Sequence, residues 1–389
     1  MKILFITPRI PYPPIKGDSL RSYYFIRELA KNHAVDLVTF YEQETELAGA
    51  EELKKLCGSI RLVPLKKISS YLNVLMNVFS GDPLQVSYYA SREMRSLLTG
   101  IDAAGEYDVI HVVLQRMMQY AGCFNRGKIV LDQIDALSLN MERRAAVEKN
   151  PVKKIVFALE RARMGAYERQ SARQYQAGII TSEVDKQALG DARITVIPNG
   201  VDSEYYSFRE LPRTIDVLFT GNMGYFPNVN AALYLCGEIA PELVKQDPEV
   251  KIFIAGTNPG KAVRALADNR NIFVTGYVPD MREYLNHAKV FVAPLRSGSG
   301  IQNKILEAMA CELPVVTSPY GNAGINAIHG KHLLVAEDTA GFIREIRGLL
   351  RDTSGRNIMG KNGRILVDES FAWAQRAKML ENIYNGIMR

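Results

Sequence analysis

Apolar residues along the chain gather into short runs. Each run is followed by a loop marked with glycine or proline, and then by a longer stretch with apolar residues at helical spacing. That rhythm predicts alternating strands and helices, in which parallel sheets carry helices on both faces. In the first half, strands are expected at residues 2–7, 34–40, 61–65, 109–113, 128–131 and 178–182, the last closing that half. A helix is expected from about Leu20 to Lys31, and a long basic helical segment over 139–177, broken near Pro151. In the second half, strands are expected at 216–220, 250–255, 272–275, 290–294, 314–318 and 333–335, with helices over about 228–244 and 301–311. An amphipathic helix is expected over 371–389. Between the halves, Val196-Ile-Pro-Asn-Gly-Val-Asp202 is rich in turn formers and reads as a linker. The domains predicted are 1–195 and 205–370.

Composition agrees with a folded α/β protein. The chain has 389 residues, enough for two domains, of which 47% are hydrophobic and 23% charged. Disorder, collagen and coiled coil are poor readings. The net charge of +6 suits an anionic ligand or membrane surface and does not call for nucleic acid. Cys57, Cys123, Cys236 and Cys311 form no CxxC pair and read as reduced, buried thiols. The five histidines form no HxH or HExxH pattern, so no metal is expected. The first strand is stopped by Pro8, too early for a signal peptide, and no run reaches the ~18 apolar residues of a membrane span. The expected location is cytoplasmic.

Ligands of open parallel sheets bind beyond the carboxyl ends of the strands. Three glycine-bearing loops follow strands here, at Gly17, at Gly221 and at Gly298 with Gly300. Glycine lets backbone amides approach a phosphate, and a helix starting there adds its positive end. The most informative segment runs from Arg296 through Ser297, Gly298, Ser299, Gly300, Ile301, Gln302 and Asn303 into Lys304-Ile-Leu-Glu307. Lys304 and Glu307 stand three apart, so they share a helical face. A cation there suits a diphosphate, and a carboxylate suits ribose hydroxyls. The same spacing also fits a capped helix with a surface ion pair. No GxxxxGK[ST] occurs, which argues against a P-loop enzyme. In the first half, His111 ends a strand-like run, where it reads equally as a satisfied core histidine. Asp132 and Asp135 follow the 128–131 strand, and Asp135 reads either as a cleft carboxylate or as a helix cap.

Lys304-Ile-Leu-Glu-Ala-Met-Ala-Cys-Glu-Leu-Pro-Val-Val316 resembles the donor-site signature of the retaining GT-B glycosyltransferases of family 4, the glycosyl transferases group 1. Other segments agree in order: Pro198-Asn-Gly-Val-Asp202, Phe219-Thr-Gly-Asn-Met223 with Pro227-Asn228, Gly276-Tyr-Val-Pro-Asp280, and Phe371-Ala-Trp373. Tyr12-Pro-Pro-Ile-Lys-Gly-Asp18 with Leu20-Arg21 is similar to sugar transferases of exopolysaccharide systems. The resemblance implies two Rossmann-like domains facing across a cleft, with the helix 371–389 crossing back to the first. It implies Glu307 on the donor ribose, Lys304 on the diphosphate, Gly221 and Asn222 facing the phosphates, and Tyr277 and Val278 at the base. Asp135 resembles a position near the acceptor, and Gly17, Asp18 and Arg21 lie in the loop on the acceptor and phosphate side.

Two positions depart from the family pattern. Ser299 stands eight positions before Glu307, where a glutamate is usual, and no cation follows Gly221 in Asn222-Met-Gly-Tyr-Phe-Pro-Asn228. Backbone amides and hydroxyls around 297–302 then have to hold the sugar, with Lys304, Arg21 or Arg296 supplying charge. The family's mechanism uses no covalent nucleophile. The leaving phosphate takes the acceptor's proton, and catalysis is orientation and charge stabilisation. The expected function is retaining transfer from a nucleotide-diphosphate sugar to a glycan or lipid-linked acceptor, by a metal-independent hexosyltransferase of cell-surface or exopolysaccharide assembly. A nucleotide-sugar 2-epimerase, a phosphorylase and a non-catalytic donor-binding scaffold are the alternatives.

Two further segments allow membrane contact. Residues 141–176 hold nine Lys or Arg against four Asp or Glu, either a solvated helical face or a contact for an anionic leaflet. Residues 71–79, preceded by Lys66 and Lys67, are apolar; core burial is the favoured reading and an edge dipping into lipid the other.

Overall fold

The apolar runs become strands; those in the middle of each sheet are buried almost throughout, as a parallel sheet covered on both faces requires, and those at the edges only in part. The structure is a computed structural model and describes residues 1–389 except 15, 16, 106, 149 and 298–300. It divides into two compact units, residues 1–199 with 376–389, and residues 200–375.

The first unit contains β1 (Lys2–Thr7), β2 (Ala34–Tyr41), β3 (Ile60–Pro64), β4 (Val109–Val113), β5 (Lys128–Ile134), β6 (Ala177–Ile180) and β7 (Ile194–Val196). They form one parallel sheet in the order β3-β2-β1-β4-β5-β6-β7. The second unit contains β8 (Ile215–Thr220), β9 (Ile252–Ala255), β10 (Ile272–Gly276), β11 (Ala288–Ala293), β12 (Val315–Thr317) and β13 (Leu334–Val335), in the order β10-β9-β8-β11-β12-β13. Each unit is thus a Rossmann-like α/β layer. The winding direction reverses between β1 and β4 in one sheet and between β8 and β11 in the other, the places where such sheets collect ligands. Phe219, Ile254, Phe291 and Val316 anchor the second core, and Leu4, Ile6, Val112 and Leu131 the first.

Six helices carry residues of functional interest. They are α1 (Gly17–Leu29), α2 (Lys67–Met76), α3 (Pro151–Ser171), α4 (Phe226–Tyr234), α5 (Asn303–Ala310) and α6 (Trp373–Met388). The break expected near Pro151 falls between a helix at Leu137–Val147 and α3, where Asn150 caps the amides of Val152 and Lys153. The helix expected over 228–244 is instead α4, a π turn at Leu235–Ile239 and a third piece at Ala240–Gln246. Pro241 has no amide to continue the α ladder, so the turn widens there. The expected last strand of the first half is followed by one more, β7.

The segment 71–79 corrects its favoured reading. Tyr71, Leu72, Leu75, Met76 and Phe79 are exposed, the last by 98%, so they are not core. All four cysteines are free and buried.

Candidate active site

In the second unit the loops after β8, β9 and β10 are locked together by backbone contacts. The Gly221 amide donates to Ala255 O at 3.0 Å, and the Gly256 amide donates to Gly276 O at 3.0 Å. Gly256 has φ +140°, and a Cβ there would fall 1.8 Å from the Gly221 carbonyl oxygen. Only glycine permits that approach. Gly276, with φ +68°, then turns the chain so that Tyr277 is exposed and Val278 half-buried.

Asn228, on α4, folds back beneath the Gly221 loop. Its Nδ2 donates to Asn222 O at 3.0 Å, and that amide would lie 2.8 Å from a Cβ on Gly221. Its Oδ1 accepts from Lys304 Nζ at 2.5 Å. The loop after β8 and the helix after β11 are therefore joined at the switch point through Asn228. Asn222 Oδ1 meanwhile accepts from the Gly224 amide and from Asn258.

Helix α5 begins at Asn303, and Gln302 occupies its N-cap without a side-chain cap bond. Its first-turn amides are thus not taken up by a capping side chain. Lys304 is half-buried, and burial, opposed by Glu307, lowers its ammonium to about 8. Its Nζ also lies 5.6 Å from the centre of the Phe219 ring. Glu307 retains some surface yet is densely surrounded. Burial, opposed by Lys304, raises its carboxyl to about 7. No hydrogen bond with a described residue ties that carboxyl. Arg296 stacks 3.7 Å from the Tyr234 ring centre and lies 3.5 Å from Glu238, so its charge is already partnered. Ser297, Ile301, Gln302 and Asn303 are half-buried beside it, whereas Gly298, Ser299 and Gly300 lie outside the described residues.

In the first unit the expected residues separate into open and enclosed groups. Asp135 is exposed just past β5. Desolvation and then Asp185 raise its carboxyl above the usual range. Gly17 is exposed at the start of α1, and Asp18 pairs with Arg9 at 3.0 Å. Arg21 corrects the expectation of an open group, and His111 takes the core reading, because both are fully buried. Arg21 Nε donates to Asp132 Oδ2 at 2.6 Å and its Nη1 to Ile197 O at 2.8 Å, so the guanidinium is not presented to a phosphate. His111 lies 4.3 Å from Phe5, ring to ring, with Nδ1 2.6 Å from the Tyr384 hydroxyl and Nε2 3.8 Å from Asp132. Burial, opposed by Asp132, holds this imidazole below the usual histidine range and therefore neutral near pH 7. Burial pushes Asp132 up, but Arg21 and the nearby His111 ring outweigh it and hold the carboxylate ionised. Tyr384 and Glu381, which lies 2.6 Å from His33, fasten α6 to this unit.

Sequence reasoning missed the linking role of Asn228, because nothing in a helix-start asparagine says that its side chain turns back under the preceding loop. It also missed a concavity past β12 and β13, lined by Pro319, Asn322, Asn326, His329 and Glu337, although Gly321 and Gly324 mark the loop after β12.

Residues 214–352 match the family described as Glycosyl transferases group 1. The second unit carries a glycosyl transferases group 1 domain. Over nearly its whole length the chain is similar to an uncharacterised 44.6 kDa protein of the cps region of Klebsiella pneumoniae, 24% identical across 95% of this chain and 96% of that one. Part of it is similar to the capsular polysaccharide biosynthesis glycosyltransferase CapM of Staphylococcus aureus, 30% identical across 32% of this chain and 33% of CapM. Among solved structures, Anabaena HepE in complex with UDP superposes with a TM-score of 0.67 at 15% identity, covering 99% of this chain and 100% of HepE. Sucrose-phosphate synthase from Thermosynechococcus elongatus superposes at 0.64 and 16%, covering 100% and 99%. These structures establish the fold, which is GT-B, and the group 1 domain forms its second half.

Proposed function

We propose that the chain moves a sugar from a nucleotide-diphosphate donor to a glycan or lipid-linked acceptor in polysaccharide assembly, with retention at the anomeric carbon and without a resident metal. The observation that carries this reading is the Gly221 loop, Asn228, Lys304 and Glu307 gathered at the β8/β11 switch point. The capsular and cps-region relatives support the setting. In this reading the Lys304 ammonium and the first amides of α5 take the charge that develops on the departing diphosphate. Glu307 accepts hydrogen bonds from the ribose, and Tyr277 and Val278 border the base. The leaving phosphate oxygen takes the proton of the acceptor hydroxyl, so no enzyme nucleophile is needed. Asp135, open and above its usual carboxyl range, faces the acceptor.

The test is incubation with UDP-, GDP- and ADP-sugars and with glycan and lipid-linked acceptors, in EDTA, following nucleotide release and the anomer of the product by NMR. Transfer with retained configuration is expected. An inverted product, or dependence on an added metal, overturns that part of the reading. Binding without turnover on every acceptor points to a donor-binding scaffold.

Donor affinity should depend on pH in a particular way. Ribose binding favours the Glu307 carboxylate, which forms as pH rises through about 7. Diphosphate binding favours the Lys304 ammonium, which is lost as pH rises through about 8. Calorimetric affinity for UDP, the nucleotide bound in HepE, is expected to peak between those values. Glu307→Ala should lower it about tenfold, the scale of a charge-assisted hydrogen bond, and should flatten the acidic limb. An unchanged affinity and profile would sink the Glu307 assignment.

A further inference from the structure

Two helices of the first unit are built inside out. On α2 and the turn after it, Ile68, Tyr71, Leu72, Leu75, Met76 and Phe79 recur at helical spacing, and all are exposed. The side facing the protein is polar: Ser70 is buried, Asn73 Nδ2 donates to Ala90 O at 2.9 Å, and Asn77 Nδ2 donates to Asn73 O at 2.8 Å. On α3 the inward stripe is Glu160, Met164, Glu168 and Ser171, while Val152, Ile155, Val156 and Leu159 point outward and are exposed. A helix resting on a globular core shows the reverse pattern.

The helix α3 and the chain that follows α2 are tied to each other. Arg163 Nη2 donates to Val78 O at 2.6 Å, and the Leu84 amide donates to Glu160 Oε2 at 2.9 Å, so the turn after α2 sits on the inner side of α3. Together the two stripes hold ten of the 23 large apolar side chains exposed among the described residues. A clustering of that size on one unit marks an interaction surface.

Charge decides the occupant. Exposed Lys66 and Lys67 lead into α2, and exposed Lys153 and Lys154 stand between Val152 and Ile155 on α3. The acid of this stretch of α3, Glu160, is turned inward and pairs with Arg163 at 3.1 Å. A second copy of the chain would bring lysines against lysines, whereas a bilayer with anionic head groups offers apolar depth and opposite charge at once. No helix among the described residues is long and apolar enough to cross a membrane. We infer that the α2 and α3 faces form a docking surface for an anionic phospholipid bilayer, lying in its interface rather than spanning it. This assignment stands independently of the donor site.

The experiment is sedimentation of the full chain with vesicles of phosphatidylcholine alone or with about 30 mol% phosphatidylglycerol. Binding to the anionic vesicles is expected. Leu75→Ser with Met76→Ser and Phe79→Ser should lower it at least ~10-fold, as should Lys153→Glu with Lys154→Glu. All five positions are exposed, so circular dichroism should show an unchanged fold. Phe79→Trp adds a second readout, because the chain's single tryptophan, Trp373, is only 1% exposed; its emission should shift to the blue with anionic vesicles. Several outcomes overturn the inference: no binding, equal binding to both vesicles, unaffected binding by the variants, or a dimer that the apolar variants dissociate without any vesicle binding.

Discussion

Asp132→Ala is expected to destabilise the first unit by about 3–5 kcal/mol, because it leaves the Arg21 guanidinium charged and unpaired where no water reaches it. Both side chains are enclosed, with 0% of Arg21 and 1% of Asp132 exposed. Arg21 arises from α1, Asp132 from β5 and His111 from β4, while Tyr384 comes from the far end of the chain on α6. Loss of the carboxylate therefore loosens four elements at once. Urea unfolding monitored by far-UV circular dichroism gives the magnitude. Hydrogen exchange should place the loss in residues 1–199 and 376–389 rather than in the second unit. Replacing both partners, Arg21→Met with Asp132→Leu, should recover most of the stability, since an apolar pair of similar volume leaves no orphaned charge. A single variant as stable as the parent would show that the ion pair does not hold the unit.

Acid works on the same network. The unfolded chain protonates histidine near 6.5, but buried His111 resists. The unfolded state therefore binds more protons as pH falls through that value, and stability drops. Asp132 adds a second loss below about 3.8, as pH falls toward its lowered folded value.

The second large effect is expected from Gly256→Ala. The new methyl group would overlap the Gly221 carbonyl oxygen, which is backbone and cannot swing aside, at a φ that alanine rarely adopts. Strain and overpacking of roughly 1–3 kcal/mol each make a total cost of about 2–6 kcal/mol. The Gly221 loop has to move, and with it Asn228 and the Lys304 ammonium. UDP affinity should fall more than tenfold while the first unit keeps its hydrogen-exchange protection. Native affinity in this variant would mean that the Gly221 loop does not hold the donor. Gly256 lies outside the contacts proposed for the donor, so its effect reports on loop placement.

Much of this molecule could be read from its residues. Every strand expected from an apolar run formed, because strands covered on both faces must be apolar along their length. Pro151 acted where it stands, at the first turn of α3, since proline's missing amide is a local property. The segment 296–307 was legible as a helix start with Lys304 and Glu307 on one face. β7 was missed because Ile194–Val196 is too short to show a pattern of its own and forms only by pairing with β6. The apolar character of 71–79 was visible, but it says only that the segment needs cover. Whether protein or another medium covers it depends on what packs nearby.

The amino-acid order alone determined the α/β class, the two-unit organisation, the glycine loops and the shared helical face of Lys304 and Glu307, because these rest on backbone conformation and near-neighbour spacing. Only the tertiary structure decided that Arg21 and His111 are enclosed rather than open, that Asn228 joins two loops, and that the apolar faces of α2 and α3 point outward. Each of those depends on residues brought together from distant parts of the chain, as Tyr384 and His111 are, and burial and partnership at that range are set by packing.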